Sequence, residues 1–129
     1  TRIPGVGVLD VVTNGSDTRL IGNHAVDSDW GRLVGYENHS GLTTLGPGAT
    51  PLARTVPGRG NDGHDSTEGC VQGNVFGTYL HGPVLAKSPR FADELLRRAL
   101  TRRGDSGELA PLDDALALQA AEVAARRPR

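Results

Sequence analysis

Sixteen of the chain's 18 glycines lie before residue 88, and no other feature of its 129 residues constrains the fold as much. Glycine weakens a helix interior and marks turns and bulges. The first two thirds therefore read as short strands separated by turns. Residues 6–13 (VGVLDVVT) form a β-branched apolar run, as in a buried strand, and Asn14-Gly15 after it is a turn signal. Residues 19–26 and 33–38 are further strand candidates. Residues 71–80 (VQGNVFGTYL) form one strand or two, because Gly73 and Gly77 interrupt them. Residues 46–69 are rich in Gly, Pro, Asn and Asp and read as loop, with a weak strand near 53–56.

After residue 88 the pattern changes to helix. Ser88 suits an N-cap and Pro89 the first helical position. Phe91, Leu95, Leu96, Ala99 and Leu100 line one face. Asp93 and Glu94 precede Arg97 and Arg98 by four residues, the favourable order along a helix. Gly104 is the expected stop. A second helix is predicted from about Asp113 to Arg126, with Leu112, Ala115, Leu116, Gln119 and Val123 in register. Strands followed by helices indicate an α/β or α+β class. The pattern alone leaves open whether the strands are half of a larger sheet or an independent domain. No internal repeat and no long linker divides the chain.

Fourteen basic and 15 acidic residues leave a formal charge of −1, so nothing in the charge balance points to nucleic acid or a membrane surface. No apolar run reaches the roughly 20 residues of a membrane span, and no signal-peptide pattern is present. Cys70 is the single cysteine, which forbids an internal disulfide and fits a reducing cytoplasm. The chain contains no methionine, which is expected of a fragment or a processed product.

The segment that most suggests chemistry is Gly77-Thr78-Tyr79-Leu80-His81-Gly82-Pro83. In open α/β sheets, sites gather beyond the carboxyl ends of strands, and a histidine there can act as a base near neutral pH. The alternative is a histidine that only ends a strand. Cys70 lies eleven residues earlier without a glycine-bounded elbow and reads as a small buried hydrophobe. Gly58-Arg59-Gly60-Asn61-Asp62-Gly63 matches G-x-G-x-x-G literally, but loop-like sequence follows it where a dinucleotide site needs a helix. His24, His39, His64 and His81 have no metal-ligand spacing, so no metal site is expected. Glu37 and His39 share one face of a strand, either lining a cleft or, for Glu37, holding structure. Arg126, Arg127 and Arg129 read as a solvated helix end.

In combination these residues carry a resemblance. Residues 77–89 (GTYLHGPVLAKSP) are similar to the C-terminal signature of the class I, cobyric-acid-synthase-like glutamine amidotransferases. Gly35-Tyr36-Glu37-Asn38-His39-Ser40-Gly41 resembles that family's G-[FY]-E-N-H-x-G segment. Thr43-Thr44-Leu45-Gly46-Pro47 and Glu68-Gly69 with Val71-Gln72-Gly73 also match, and residues 5–13 resemble its GLGLLD-type strand. Within the family the likeness is strongest to glutaminase subunits of lipid II isoglutaminyl synthases, because cobyric acid synthases usually have isoleucine where Asn38 stands. The resemblance runs from residue 5 to about 123.

The resemblance implies an α/β fold, a flavodoxin-like three-layer sandwich of which residues 1–129 are the C-terminal portion of one domain, ending in helices. It implies a glutaminase that releases ammonia for amidation of the D-glutamate of lipid II in peptidoglycan synthesis. His81 would be the catalytic base, and Arg19, in Thr18-Arg19-Leu20-Ile21-Gly22, the glutamine-binding arginine. No cofactor is expected in this chain; ATP and Mg would belong to a Mur-ligase-like amidoligase partner in a cytoplasmic heterodimer. The family's nucleophilic cysteine sits upstream of the GLGLLD-type strand, and this sequence starts four residues before Gly5. The chain by itself is therefore expected to be inactive. Where related triads carry a glutamate two residues after the histidine, Pro83 stands here, which leaves open what orients His81. The alternatives are a glutaminase domain of cobyric acid synthase and a catalytically dead remnant that binds a ligase partner.

Overall fold

The computed structural model describes residues 3–127; Arg129 of the basic end lies outside them. Strands come first and helices last, the order of a mixed α/β protein. The chain divides into two compact units, Thr1–Ile21 with Glu37–Tyr79, and Gly22–Tyr36 with Leu80–Arg129.

Two long strands, β1 (Val11–Ser28) and β2 (Gly31–Leu45), contribute to both units. Only two residues join them, a connection that only antiparallel neighbours allow. The reversal falls at Asp29-Trp30. Ser28 Oγ accepts from the Trp30 N–H at 3.2 Å and donates to the Gly31 carbonyl at 2.7 Å. Gly31 takes the left-handed φ of 96° that closes the turn. Asn14-Gly15, predicted as a turn, instead lies inside β1. An Asn-Gly pair reverses the chain only where its flanking segments pair with each other, and here they continue as one strand.

The first unit holds β1 up to Ile21, β2 from Glu37, and the short strands β3 (Ala53–Arg54), β4 (Thr67–Glu68), β5 (Cys70–Gln72) and β6 (Val75–Gly77). The strand order is β2-β1-β3-β4, and β5 pairs with β6 in a second sheet. β3 and β4 run antiparallel with Ala53 opposite Glu68. β5 and β6 do so with Cys70 opposite Gly77, so residues 71–80 contain a hairpin and not one strand. The strand predicted over 6–13 begins only at Val11. Asp10 anchors the chain just before it. Its N–H donates to Gln72 Oε1, its carbonyl accepts from Gly46 N, and its carboxylate accepts from Gly48 N. Val6 and Val8 are exposed.

The second unit closes around Val26, Leu33, Val34, Leu80, Val84 and Phe91, each at most 8% exposed. After a 3-10 turn at Leu85–Lys87, helix α1 (Pro89–Arg103) starts with Pro89 as predicted. Ser88 occupies the cap position, yet its hydroxyl makes no capping bond; its carbonyl accepts from Phe91 and Ala92. Phe91 packs on Trp30 with ring centroids 5.2 Å apart. Glu94 pairs with both Arg97 and Arg98. Gly104 ends the helix at φ 97°. Helix α2 (Ala115–Ala125) lies inside the predicted span, but its expected core face is not buried: Leu112, Leu116 and Val123 are exposed. No helix among the described residues is long and apolar enough to cross a membrane.

Candidate active site

His81 belongs to the second unit, where an isolated antiparallel bridge to Tyr36 holds it. The Tyr36 N–H donates to the His81 carbonyl at 3.0 Å, and the His81 N–H donates to the Tyr36 carbonyl at 2.8 Å. Both side chains are exposed, while Gly35, Glu37 and Leu80 beside them are buried. Directly opposed residues of an antiparallel pair project to one face, so Tyr36 flanks the imidazole on the open side. Gly35 makes this approach possible. A Cβ there would stand 2.8 Å from the His81 carbonyl oxygen and 2.9 Å from Leu80 Cβ. Gly82 follows at φ 75°, and Lys87 Nζ donates to its carbonyl. The backbone of His81 is thus pinned on both sides, while its ring has no hydrogen-bond partner among the described residues. Pro83 supplies none.

Arg19 belongs to the first unit. It is exposed on β1, and its Nε donates to Asn38 Oδ1 of β2 at 2.6 Å. On the same strand, Glu37 and His39 are buried, opposite in sense to Asn38.

Glu37 is fully buried, and Arg59, 3% exposed, pairs with its Oε1. Its Oε2 accepts from the Gly60 N–H at 3.1 Å. Arg59 also donates to the Ile21 carbonyl at 3.2 Å. A buried carboxylate needs a cation and further donors to offset its desolvation, and the Gly58–Gly63 loop provides both. That loop closes through Gly58 N–H to Gly63 carbonyl at 2.8 Å, and no helix opens after it. Its glycines serve an internal ion pair, not a dinucleotide. Gly60, at φ 80°, would drive any Cβ into the Thr67 carbonyl. Asp62 Oδ1 accepts from the His64 and Asp65 N–H groups. Burial raises the Asp62 pKa, but these bonds and the nearby His64 outweigh it and hold the carboxyl below its ordinary 3.8.

His39 Nδ1 lies 2.8 Å from the Gly41 carbonyl, which can only accept, so Nδ1 carries the proton. The ring stacks on Tyr79 at 3.6 Å between centroids, and Nε2 stands 4.0 Å from Glu37 Oε2. The Tyr79 hydroxyl bonds Thr43 Oγ1 at 2.7 Å, which bonds Thr13 Oγ1 at 2.7 Å. Glu68, also fully buried, accepts from Thr78 Oγ1 at 2.8 Å and from the Tyr79 N–H at 2.7 Å. It fixes the backbone two residues before His81. These groups hold Thr78 and Tyr79 within the first unit.

Cys70 lines a small cavity of about 150 Å³ with Tyr79 and Asn61. It is 5% exposed. Burial pushes its thiol up, the Gly77 backbone bond opposes this in part, and the Glu68 carboxylate adds to the rise. A nucleophilic cysteine needs the reverse setting, so Cys70 is a packing residue. No group of three or more His, Cys, Asp or Glu side chains converges as metal ligands among the described residues.

Sequence reasoning singled out His81 and Arg19 but missed their neighbours Tyr36 and Asn38, and it missed Arg59. Arg59 had one available signal: a strand that buries Glu37 requires a cation nearby. The pairing of Arg19 with Asn38 had none, since strand register is not written in the two segments separately.

Comparison with known proteins identifies the family. Residues 1–89 match the CobB/CobQ-like glutamine amidotransferase domain. The chain is 39% identical over 124 residues to the lipid II isoglutaminyl synthase (glutamine-hydrolyzing) subunit GatD of Staphylococcus aureus, covering 95% of this chain and 50% of that protein. It is 37% identical to GatD of Streptococcus pneumoniae, over 94% of this chain and 48% of that protein. A probable cobyric acid synthase of Methanothermobacter thermautotrophicus is 39% identical over 62% of this chain and 18% of its own length. The chain thus spans about half the length of the GatD proteins it matches.

Proposed function

The chain belongs to the CobB/CobQ-like glutamine amidotransferase family, and from that premise we propose that it forms part of the glutaminase component of a glutamine-dependent amidoligase. The observation that carries the reading is the setting of His81. Its backbone is locked to Tyr36 and its imidazole is left exposed for a substrate. In the proposed reaction a cysteine thiolate attacks the side-chain amide carbon of glutamine. The C–N bond then breaks, and ammonia leaves with a proton from the His81 imidazolium. Next, His81 takes a proton from water, whose oxygen attacks the thioester; the C–S bond breaks and glutamate is released. The buried Cys70 does not fit the role of that thiolate. Arg19 binds the substrate's α-carboxylate through its planar fork.

Ammonia passes to a Mur-ligase-like partner, which uses ATP and Mg to amidate the D-glutamate of lipid II in the cytoplasm. Support for this acceptor comes from the GatD relatives, whose likeness extends over nearly the whole chain, and from Asn38 in the motif. Relatives named cobyric acid synthase make a cobalamin precursor the competing acceptor.

The test is glutamate release from glutamine by a protein of the relatives' full length that contains this chain, assayed with its ligase partner. His81→Ala is expected to lower the rate roughly 100-fold or more. Unchanged turnover would remove His81 from the reaction. A folded complex with no turnover in either form would establish a non-catalytic binding role. Lipid II and cobyric-type acceptors supplied in parallel decide the acceptor.

A further inference from the structure

We infer that Asn38 is a positioning residue for Arg19, presenting the guanidinium to the carboxylate of the bound substrate. The inference rests on the reading of Arg19 given above. Its basis is the 2.6 Å hydrogen bond from Arg19 Nε to Asn38 Oδ1.

A guanidinium offers two edges for a fork-like grip on a carboxylate, one made by Nε with one Nη and one made by the two Nη groups. Asn38 occupies Nε. The edge formed by Nη1 and Nη2 is left open, and neither nitrogen has a partner among the described residues. Because the guanidinium is planar, one bond at Nε also fixes the tilt of that open edge. An arginine side chain exposed on a strand otherwise has rotamer freedom to lose on binding, and Asn38 removes part of it in advance. The geometry follows from β2: Glu37 and His39 turn inward, so Asn38 projects outward, on the exposed side where Arg19 of the neighbouring strand also stands. Asn38 touches no reacting atom in this arrangement and acts through Arg19 alone.

The experiment has two arms. In the first, the isotope-labelled full-length protein with its partner is examined by NMR. The Arg19 Nε–H signal is expected to be resolved and slow to exchange in the native chain, and to broaden into fast exchange in Asn38→Ala. In the second, steady-state glutaminase kinetics are measured in the full-length protein with its partner. Asn38→Ala and Asn38→Ile are expected to raise KM for glutamine about three- to tenfold, the scale of one charge-assisted bond, with kcat within about twofold. Arg19→Ala raises KM further, and the double variant Arg19→Ala/Asn38→Ala is no worse than Arg19→Ala. If Arg19→Ala raises KM while Asn38→Ala does not, the positioning inference alone is overturned. If Arg19→Ala leaves KM unchanged, the assignment of Arg19 to substrate falls and takes the inference with it. An Arg19 Nε–H signal in fast exchange in the native chain also overturns it, whatever the kinetics show.

Discussion

Replacing Arg59 by methionine removes the cation from a carboxylate that has no access to solvent. Glu37 is fully buried, and Arg59 supplies its ion pair. The groups that remain include the Gly60 N–H at 3.1 Å and His39 Nε2 at 4.0 Å, neither of them a full cation like the guanidinium. Breaking a buried pair on one side costs about 3–5 kcal/mol, because the surviving charge keeps its desolvation penalty. Domain stabilities run roughly 5–15 kcal/mol, so Arg59→Met takes a large share of the total. With a urea slope of about 2 kcal/mol per molar, the unfolding midpoint falls by about 1.5–2.5 M. The assay is urea unfolding at pH 7, followed by tryptophan fluorescence and circular dichroism. The paired replacement Glu37→Leu/Arg59→Met removes both charges and should recover most of the loss. A midpoint shift below about 0.5 M for Arg59→Met, or a double variant no better than the single, would refute the reasoning. Arg59 would then be a loop residue with no part in holding Glu37.

Three further outcomes are expected. Gly35→Ala places a Cβ 2.8 Å from the His81 carbonyl and 2.9 Å from Leu80 Cβ; it should cost about 1–3 kcal/mol, read as a lowered melting temperature, and on the proposed function it should also lower turnover of the full-length protein with its partner. Cys70 should resist alkylation by iodoacetamide in the folded chain, with a pH–rate midpoint above that of a free thiol, because burial raises its pKa; rapid labelling at pH 7 would contradict that setting. The Asp62 pKa is lowered on folding, so its carboxylate stabilises the fold above pH 3.8, and the contribution disappears as pH falls through the lowered value. The stability gap between the native chain and Asp62→Asn should therefore be widest near neutrality and vanish under strong acid, as urea midpoints across pH will show.

Which parts of the molecule were legible beforehand follows from the range of the forces involved. Helix α1 was readable to the residue at both ends, since Pro89 and Gly104 act through local backbone preferences. The Gly73 interruption of residues 71–80 was equally local and proved to be a hairpin turn. Asn14-Gly15 misled for a related reason: its turn preference is real but weaker than the pairing of a strand that runs past it. Helix α2 was placed by its period, yet a period states only that one face is apolar. It does not state that anything covers the face, and Leu112, Leu116 and Val123 are exposed.

The sequence by itself determined the class of the protein, the strand-then-helix order, the boundaries of α1 and the candidacy of His81 and Arg19. The element order, the α1 boundaries and His81 depend on residue type and near-neighbour spacing, whereas the α/β class and Arg19 rest on the resemblance of the motifs to a family. Only the tertiary structure decided that Tyr36 locks His81, that Asn38 holds Arg19, and that Glu37 and Arg59 form a buried pair. The partners in these three contacts lie 45, 19 and 22 residues apart. Contacts of that separation depend on strand register and loop closure, and a one-residue slip of β2 would turn Asn38 inward and Glu37 out to solvent.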